Sequence, residues 1–107
     1  MLSDNEYRLM LSLVTSRCYV YAARDGYDVL GNGYAVRGVS DRLLANRTGM
    51  HQILVRALMD GLAERGLAGI ARKCGGGNIY WATGCGRSEE YKEHARRTYR
   101  ADVAAQA

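Results

Sequence analysis

Gln52, Ile53 and Arg56 combine side-chain types and a spacing that suit the recognition of DNA base pairs. A glutamine amide can bond to an adenine edge, an arginine can grip guanine or a phosphate, and an isoleucine can pack on a thymine methyl group. At about 100° per residue, these three side chains share one side of a predicted helix. The other side is apolar and consists of Val55, Leu58, Met59 and Leu62. The alternative interpretation is an ordinary solvated helix face with one exposed isoleucine.

Basic side chains are concentrated in the same part of the chain. Segment 37–87 has eight basic and three acidic residues and a net charge of +5, whereas segments 1–36 and 88–107 have net charges of −1 and 0. A focused basic patch is typical of a phosphate-binding surface, although a solvated surface without a partner has the same composition. Further candidates for DNA contact are therefore Arg42, Arg47, His51, Arg72, Lys73 and the turn residue Gly76. Arg72 and Lys73 could instead be a charged hairpin edge that discourages aggregation.

Patterns for catalysis or metal binding are weak. His51 and His94 belong to separate predicted elements, and no Ser/His/Asp or Cys/His set has a recognised spacing. A zinc site made of Cys74, Cys85 and His94 is conceivable, but its ligand spacings match no standard module. We therefore predict no enzyme activity, no metal and no cofactor.

The cysteines and the first residues indicate a cytoplasmic protein. Three cysteines without a C-x-x-C pair argue against a disulfide framework and fit a reducing compartment. Ser3, Asp4 and Glu6 are unlike a secretory signal, and the apolar stretches are too short to span a bilayer. Cys74 follows Lys73 and could be a redox-sensitive thiol, because a nearby cation favours the thiolate; the alternative is an inert turn residue.

The elements that must position these residues follow from spacing, capping residues and glycines. A helix is predicted over 3–24, with Ser3 as its cap, followed by a glycine-rich loop over 25–39 in which 34–36 is one option for a short strand. A short helix over 40–47, capped by Ser40, ends near Gly49 and precedes a longer helix over 50–65. Strands over 67–73 and 78–83 flank the turn 74–77, and a last helix is predicted over 87–104.

A short helix, a glycine turn, a longer helix and a glycine-tipped hairpin make a winged helix-turn-helix. We therefore predict a mainly α single domain over 1–107 with a small β-hairpin wing and extra N- and C-terminal helices. Its parts would be the N-terminal helix and loop (1–36), the helix-turn-helix and wing (37–87) and the C-terminal helix (88–107). In this fold the second helix of the motif enters the major groove of DNA.

Residues 39–67 read V-S-D-R-L-L-A-N-R-T-G-M-H-Q-I-L-V-R-A-L-M-D-G-L-A-E-R-G-L, which resembles the DNA-binding domain of the GntR family. The positions in step are Ser40, Arg42, Leu44, Ala45, Gly49, Val55, Arg56, Leu62, Gly66 and Leu67, and the wing sequence G-G-G-N-I-Y-W at 75–81 is similar too. The resemblance implies that Arg42 touches DNA. The chain departs from the family at His51, where a serine or threonine usually caps the helix, at Ile53 and Leu54, where hydroxyl residues are common, and at Val39, which replaces a proline. We also expect no small-molecule effector domain.

Together these patterns predict a sequence-specific transcriptional regulator that binds double-stranded DNA. Two alternatives stay open: a winged-helix module for protein interaction or assembly, and a DNA-binding protein of plasmid or phage replication, partition or packaging. Ile53, Asp60 and Glu64 on the outer face of the longer helix favour the interaction module. We further predict a homodimer held by the terminal helices, because the last helix repeats an exposed stripe of Tyr91, Ala95, Tyr99 and Val103.

Overall fold

The computed structural model describes residues 1–23, 33–73 and 76–106. The helices are α1 (Asp4–Thr15), α2 (Asp41–Thr48), α3 (Gln52–Glu64) and α4 (Gly84–Gln106). The strands are β1 (Tyr19–Ala23), β2 (Gly33–Arg37), β3 (Val39–Ser40), β4 (Ala68–Arg72) and β5 (Asn78–Ala82). β1 and β2 form one antiparallel sheet, and the other three strands form a second antiparallel sheet in the order β3-β5-β4.

The first helix is shorter than predicted. Ser3 and Glu6 form a reciprocal capping box at its start, and the helix ends at Thr15 rather than near residue 24. Residues Tyr19–Ala23 form β1 instead and pair with β2, with Tyr19 opposite Arg37. The prediction of a helix over 3–24 was wrong here because Tyr19, Val20 and Tyr21 are aromatic and β-branched residues, which favour a strand once a partner strand is present. The optional strand at 34–36 lies within β2, and residues 24–32 lie outside the described part.

The helix-turn-helix is built from the local signals of the sequence. The Ser40 hydroxyl accepts a hydrogen bond from the backbone of Leu43 and caps α2. Gly49 ends this helix in the left-handed conformation, with a φ of 71°. The residues buried on α3 are Val55, Met59 and Leu62, which pack in the main core together with Leu44 of α2. This is the apolar face predicted for α3, with Leu58 at its half-buried edge.

The wing is a hairpin of β4 and β5 whose tight turn uses glycines. Arg72 lies opposite Asn78 at the end of the paired region. The Lys73 amide donates to the Gly77 carbonyl at 2.9 Å, and Gly76 and Gly77 have φ values of 101° and 87°. Only glycine adopts such values without strain, so the glycine run is a backbone requirement. β5 also pairs with β3, which connects the wing directly to the start of α2.

Helix α4 begins three residues earlier than predicted, because the Thr83 hydroxyl accepts a hydrogen bond from the Gly86 amide at 3.0 Å. Its inner face carries Gly86, Glu90 and Glu93, which are buried. The predicted stripe of Tyr91, Ala95, Tyr99 and Val103 lies on the solvent side, with Tyr91 and Tyr99 exposed by 74% and 70%. Within the described residues, no helix combines the length and the apolar character needed to cross a membrane.

Candidate nucleic-acid interface

A cleft of about 290 Å³ lies between α2, α3 and the wing. We call it the wing cleft, and its lining consists of Asp41, Arg42, Gln52, Arg56, Lys73, Gly76 and Gly77. Five of these residues were singled out from the sequence: Arg42, Gln52, Arg56, Lys73 and Gly76. The fold therefore brings together candidates that are up to 34 positions apart in the chain.

Arg56 is anchored in the wing cleft by Asp41. Its Nε lies 2.9 Å and its Nη2 2.7 Å from Oδ2 of Asp41. The side chain of Asp41 is only 5% exposed, whereas that of Arg56 is 49% exposed. The described residues provide no acceptor for Nη1 of Arg56, so this part of the guanidinium can bind a group that enters from solvent.

The Asp41 carboxylate is kept ionised although it is buried. Burial alone would raise the pKa of Asp41, but the hydrogen bond from Arg56 and two backbone N–H groups hold it below the ordinary value of 3.8. One of these N–H groups belongs to Arg42 and lies 2.8 Å from Oδ1; the other belongs to Asn78 of the wing. The charge of the cleft is therefore fixed at neutral pH, with three cations around one anion.

The start of α3 presents the remaining recognition candidates. The Nδ1 atom of His51 accepts a hydrogen bond from the Ile53 amide at 3.1 Å, so His51 caps this helix as a serine or threonine would. Ile53 is 72% exposed, and Gln52 is half-buried at the edge of the cleft. Leu54 is exposed beside them. The first turn of α3 thus offers one amide and two apolar side chains to a partner.

Arg47 and Arg72 lie outside the wing cleft. Arg47 is directed toward α1 and β1, and its Nη2 lies 3.5 Å from the sulfur of Cys18. Hydrogen bonding to Ser16 and the adjacent Arg47 guanidinium lower the pKa of the Cys18 thiol. Arg72 is exposed at the end of β4. Arg47 could reach a phosphate only at the side of the motif, away from the wing.

Asp41 is the residue of the wing cleft that sequence reasoning missed. Its position in the first turn of a predicted helix explained it fully as a favourable charge at the helix dipole. Its contact with Arg56 spans 15 positions and its contact with the wing spans 37, so helical spacing gives no hint of either. One available signal was a lone acidic residue among the matched basic positions of segment 39–67.

The predicted thiol and metal candidates do not form a described site. Cys74 and Gly75 lie outside the described residues, so the redox interpretation of Cys74 stays a prediction. Cys85 is exposed at the start of α4, and Nδ1 of His94 lies 2.9 Å from the hydroxyl of Tyr7. Within the ranges 1–23, 33–73 and 76–106, no three His, Cys, Asp or Glu side chains are grouped as metal ligands.

Comparison with known proteins identifies the fold. The sequence matches no family model and no curated protein. The structure is similar to the crystal structure of the PcaV transcriptional regulator from Streptomyces coelicolor in complex with its natural ligand, with a TM-score of 0.70 and 16% sequence identity. The similarity covers 95% of this chain and 60% of the PcaV chain, so this chain spans well under two thirds of that regulator.

At 16% identity the similarity shows the fold alone. It supports a winged helix-turn-helix and does not support the GntR family in particular, because PcaV is a winged-helix regulator of the MarR family. The prediction of a mainly helical winged helix with a small antiparallel sheet and extra terminal helices is confirmed. The chain therefore has a winged helix-turn-helix fold.

Proposed function

We propose that this protein is a sequence-specific transcriptional regulator that binds double-stranded DNA through α3 and the wing. The observation that carries the proposal is the wing cleft, in which Arg42, Gln52, Arg56, Lys73 and the glycine turn face one solvent-open space. A major groove admits one helix, and the adjacent backbone is then within reach of a wing. The fold shared with a known transcriptional regulator supports the same conclusion.

The roles of the residues follow from their chemistry and exposure. Gln52 and Arg56 read base edges, and the exposed Ile53 packs on a thymine methyl group. Arg42 and Lys73 hold phosphates on the two sides of α3, and Gly76 lets the backbone approach the duplex closely. His51 contributes by fixing the first turn of α3, since its ring caps the helix.

We also propose that the protein acts as a cytoplasmic homodimer. One winged helix contacts a short half-site, whereas a two-fold dimer doubles the contacts and matches a palindrome. The exposed stripe on α4 (Tyr91, Ala95, Tyr99 and Val103) supports this, because tyrosines are enriched at interfaces that are partly wet. Neither a cofactor nor catalysis is needed for this function.

One observation favours the second candidate, a protein-interaction module. Ile53 and Leu54 are large apolar side chains that are adjacent and exposed on the first turn of α3. Such a pair could bind an apolar protein surface as well as thymine methyl groups. A DNA-binding role in plasmid or phage replication, partition or packaging would use the same cleft as transcriptional control.

A binding titration tests the proposal. A randomised duplex library is first passed over the protein, and the enriched duplex is compared with a shuffled duplex of equal length at two salt concentrations. We expect tighter binding to the enriched duplex and a steep loss of affinity for both duplexes as salt rises. Arg100→Gln removes one positive charge from the exposed end of α4 and is the control for general charge effects. Absence of binding to either duplex at low salt would contradict the proposal and favour the interaction module.

A further inference from the structure

Asp41 joins the three elements of the proposed DNA-binding unit. One of its carboxylate oxygens accepts the amide of Arg42 in α2, and the other binds Arg56 in α3. The amide of Asn78 in the wing donates to the same carboxylate. The wing also touches it at Gly77, where an added Cβ would lie 3.2 Å from Oδ1.

These contacts restrict the most important recognition candidate. An unpaired arginine on a helix surface samples many rotamers, and fixing it on binding costs free energy. Here Nε and Nη2 of Arg56 both bind one buried oxygen, so the guanidinium plane has a defined orientation in the wing cleft before DNA arrives. A bidentate contact with guanine requires such a defined plane.

A carboxylate is otherwise unfavourable in a phosphate-binding cleft. It repels the backbone of DNA and lowers the affinity for every sequence. A residue that served affinity alone would be neutral or basic at this position. A buried acid that contacts α2, α3 and the wing suits a site in which the orientation of the arginine matters more than total positive charge.

We propose that Asp41 is a positioning residue for sequence recognition, which orients Arg56 and fixes the wing against α3. The inference rests on the proposed DNA-binding function and deepens it. It separates two quantities that a simple basic patch would change together. Asp41 should raise the preference for the correct sequence while lowering the affinity for unrelated DNA.

The test compares Asp41→Asn with Asp60→Asn, which makes the same charge change at an exposed position of α3. For each protein, affinities are measured for the enriched duplex and the shuffled duplex. Asp41→Asn should lose about tenfold or more of the preference for the enriched duplex and keep or increase its affinity for the shuffled duplex. Asp60→Asn should change both affinities alike and leave the preference intact. In an Arg56→Ala background, Asp41→Asn should have no further effect on the preference.

A folded Asp41→Asn variant with the wild-type preference overturns the inference. Thermal unfolding shows whether the variant is folded; if it is not, Asp41→Glu takes its place, because it keeps the charge and moves the carboxylate by one methylene. An unchanged preference in that variant also overturns the inference. If the wild-type protein binds both duplexes equally, sequence-specific recognition itself is refuted. If the wild-type protein discriminates and the variants discriminate equally well, only the role of Asp41 is refuted.

Discussion

The Oε1 atom of Glu93 lies 3.1 Å from the backbone nitrogen of Leu2, and this hydrogen bond joins α4 to the residues just before α1. Glu93 is almost completely buried, and its other oxygen lies 3.4 Å from Nε of Arg96. Burial alone would raise the pKa of Glu93, but the hydrogen bonds from Arg96 and Leu2 and the neighbouring arginine charges hold it below the ordinary value of 4.5. A charged group thus occupies the face of α4 that meets the domain.

The first prediction is a pH dependence of stability. Because the pKa of Glu93 is lower in the folded protein, the unfolded chain takes up its proton first as the pH falls. The stabilisation by Glu93 is therefore complete above about pH 4.5 and is lost as the pH falls through the lower, folded value. Glu93→Gln should unfold at lower temperature than the wild type at pH 7, and the difference should shrink toward pH 3. Glu64→Gln, at an exposed site of α3, is the control; an equal effect of both variants would contradict this argument.

The second prediction concerns the close packing of α4 at Gly86. An added Cβ at this position would overlap the carbonyl oxygen of Leu67, which is backbone and cannot turn away. Gly86→Ala should therefore lower the free energy of unfolding by about 1–3 kcal/mol, as overpacked sites do. An added Cβ at Gly84, also in α4, meets no atom within 4 Å, so Gly84→Ala should be neutral or slightly stabilising. Urea titrations of the two variants measure the difference, and equal stabilities would count against this packing.

The third prediction is that Arg56 makes a base contact. Arg56→Ala should weaken binding to the enriched duplex by about 1–3 kcal/mol and relax the preference at one base position. It also leaves Asp41 buried without its ion pair, so the thermal unfolding temperature should fall as well. Selection from a randomised library reads out the base preference for the variant. A folded variant with unchanged affinity and preference would instead favour the protein-interaction module.

The fourth prediction separates phosphate contacts from base contacts. Lys73→Gln removes a cation at the wing and should weaken binding to all duplexes by a similar factor. The slope of log affinity against log salt should become shallower by about 0.9, the value for one phosphate contact. Arg100→Gln should leave the slope unchanged. Identical slopes for wild type and Lys73→Gln would remove Lys73 from the interface.

The fifth prediction is dimerisation through the terminal helices. Light scattering at tens of micromolar, with and without DNA, should give the mass of two chains. Tyr99→Ala should weaken the dimer more than any substitution in the wing, and because Tyr99 is exposed in the single chain, its loss should not affect folding. Leu11→Ala should weaken the dimer too, although Leu11 is partly buried and its effect includes packing within one chain. A monomer mass under all these conditions would refute the dimer.

Local signals predicted the DNA-binding half of the fold well. Ser40, Gly49 and the glycine turn of the wing each impose a backbone conformation through their own chemistry, so α2, α3 and the hairpin lie close to where the sequence indicated. The same signals grouped most of the wing cleft. The β1–β2 pairing could not be read in this way, because Tyr19–Ala23 becomes a strand only through a partner about 15 residues away.

The packing of α4 illustrates a different limit. Its repeat of Tyr91, Ala95, Tyr99 and Val103 was the only apolar stripe visible in the sequence, yet the face that meets the domain carries Gly86, Glu90 and Glu93. Carboxylates are normally assigned to solvent, and Glu93 is buried only because Leu2, Arg96 and Arg97 supply donors from distinct positions. Such compensation depends on tertiary contacts and has no period along the chain. Asp41 escaped notice for the same reason.

The length of α4 has a mechanical consequence. The helix has 23 residues, or about 35 Å at 1.5 Å per residue, and its segment 98–106 is exposed throughout. Its attachment to α1 lies nearer its start, where the hydroxyl of Tyr7 meets His94. A rotation of about 10° at this attachment would sweep the far end of such a rod through about 4–6 Å. In two copies joined at their α4 segments, small angular changes at Tyr7 and His94 would therefore be amplified into the separation of the two α3 helices, which sets the spacing of the half-sites that the pair can span.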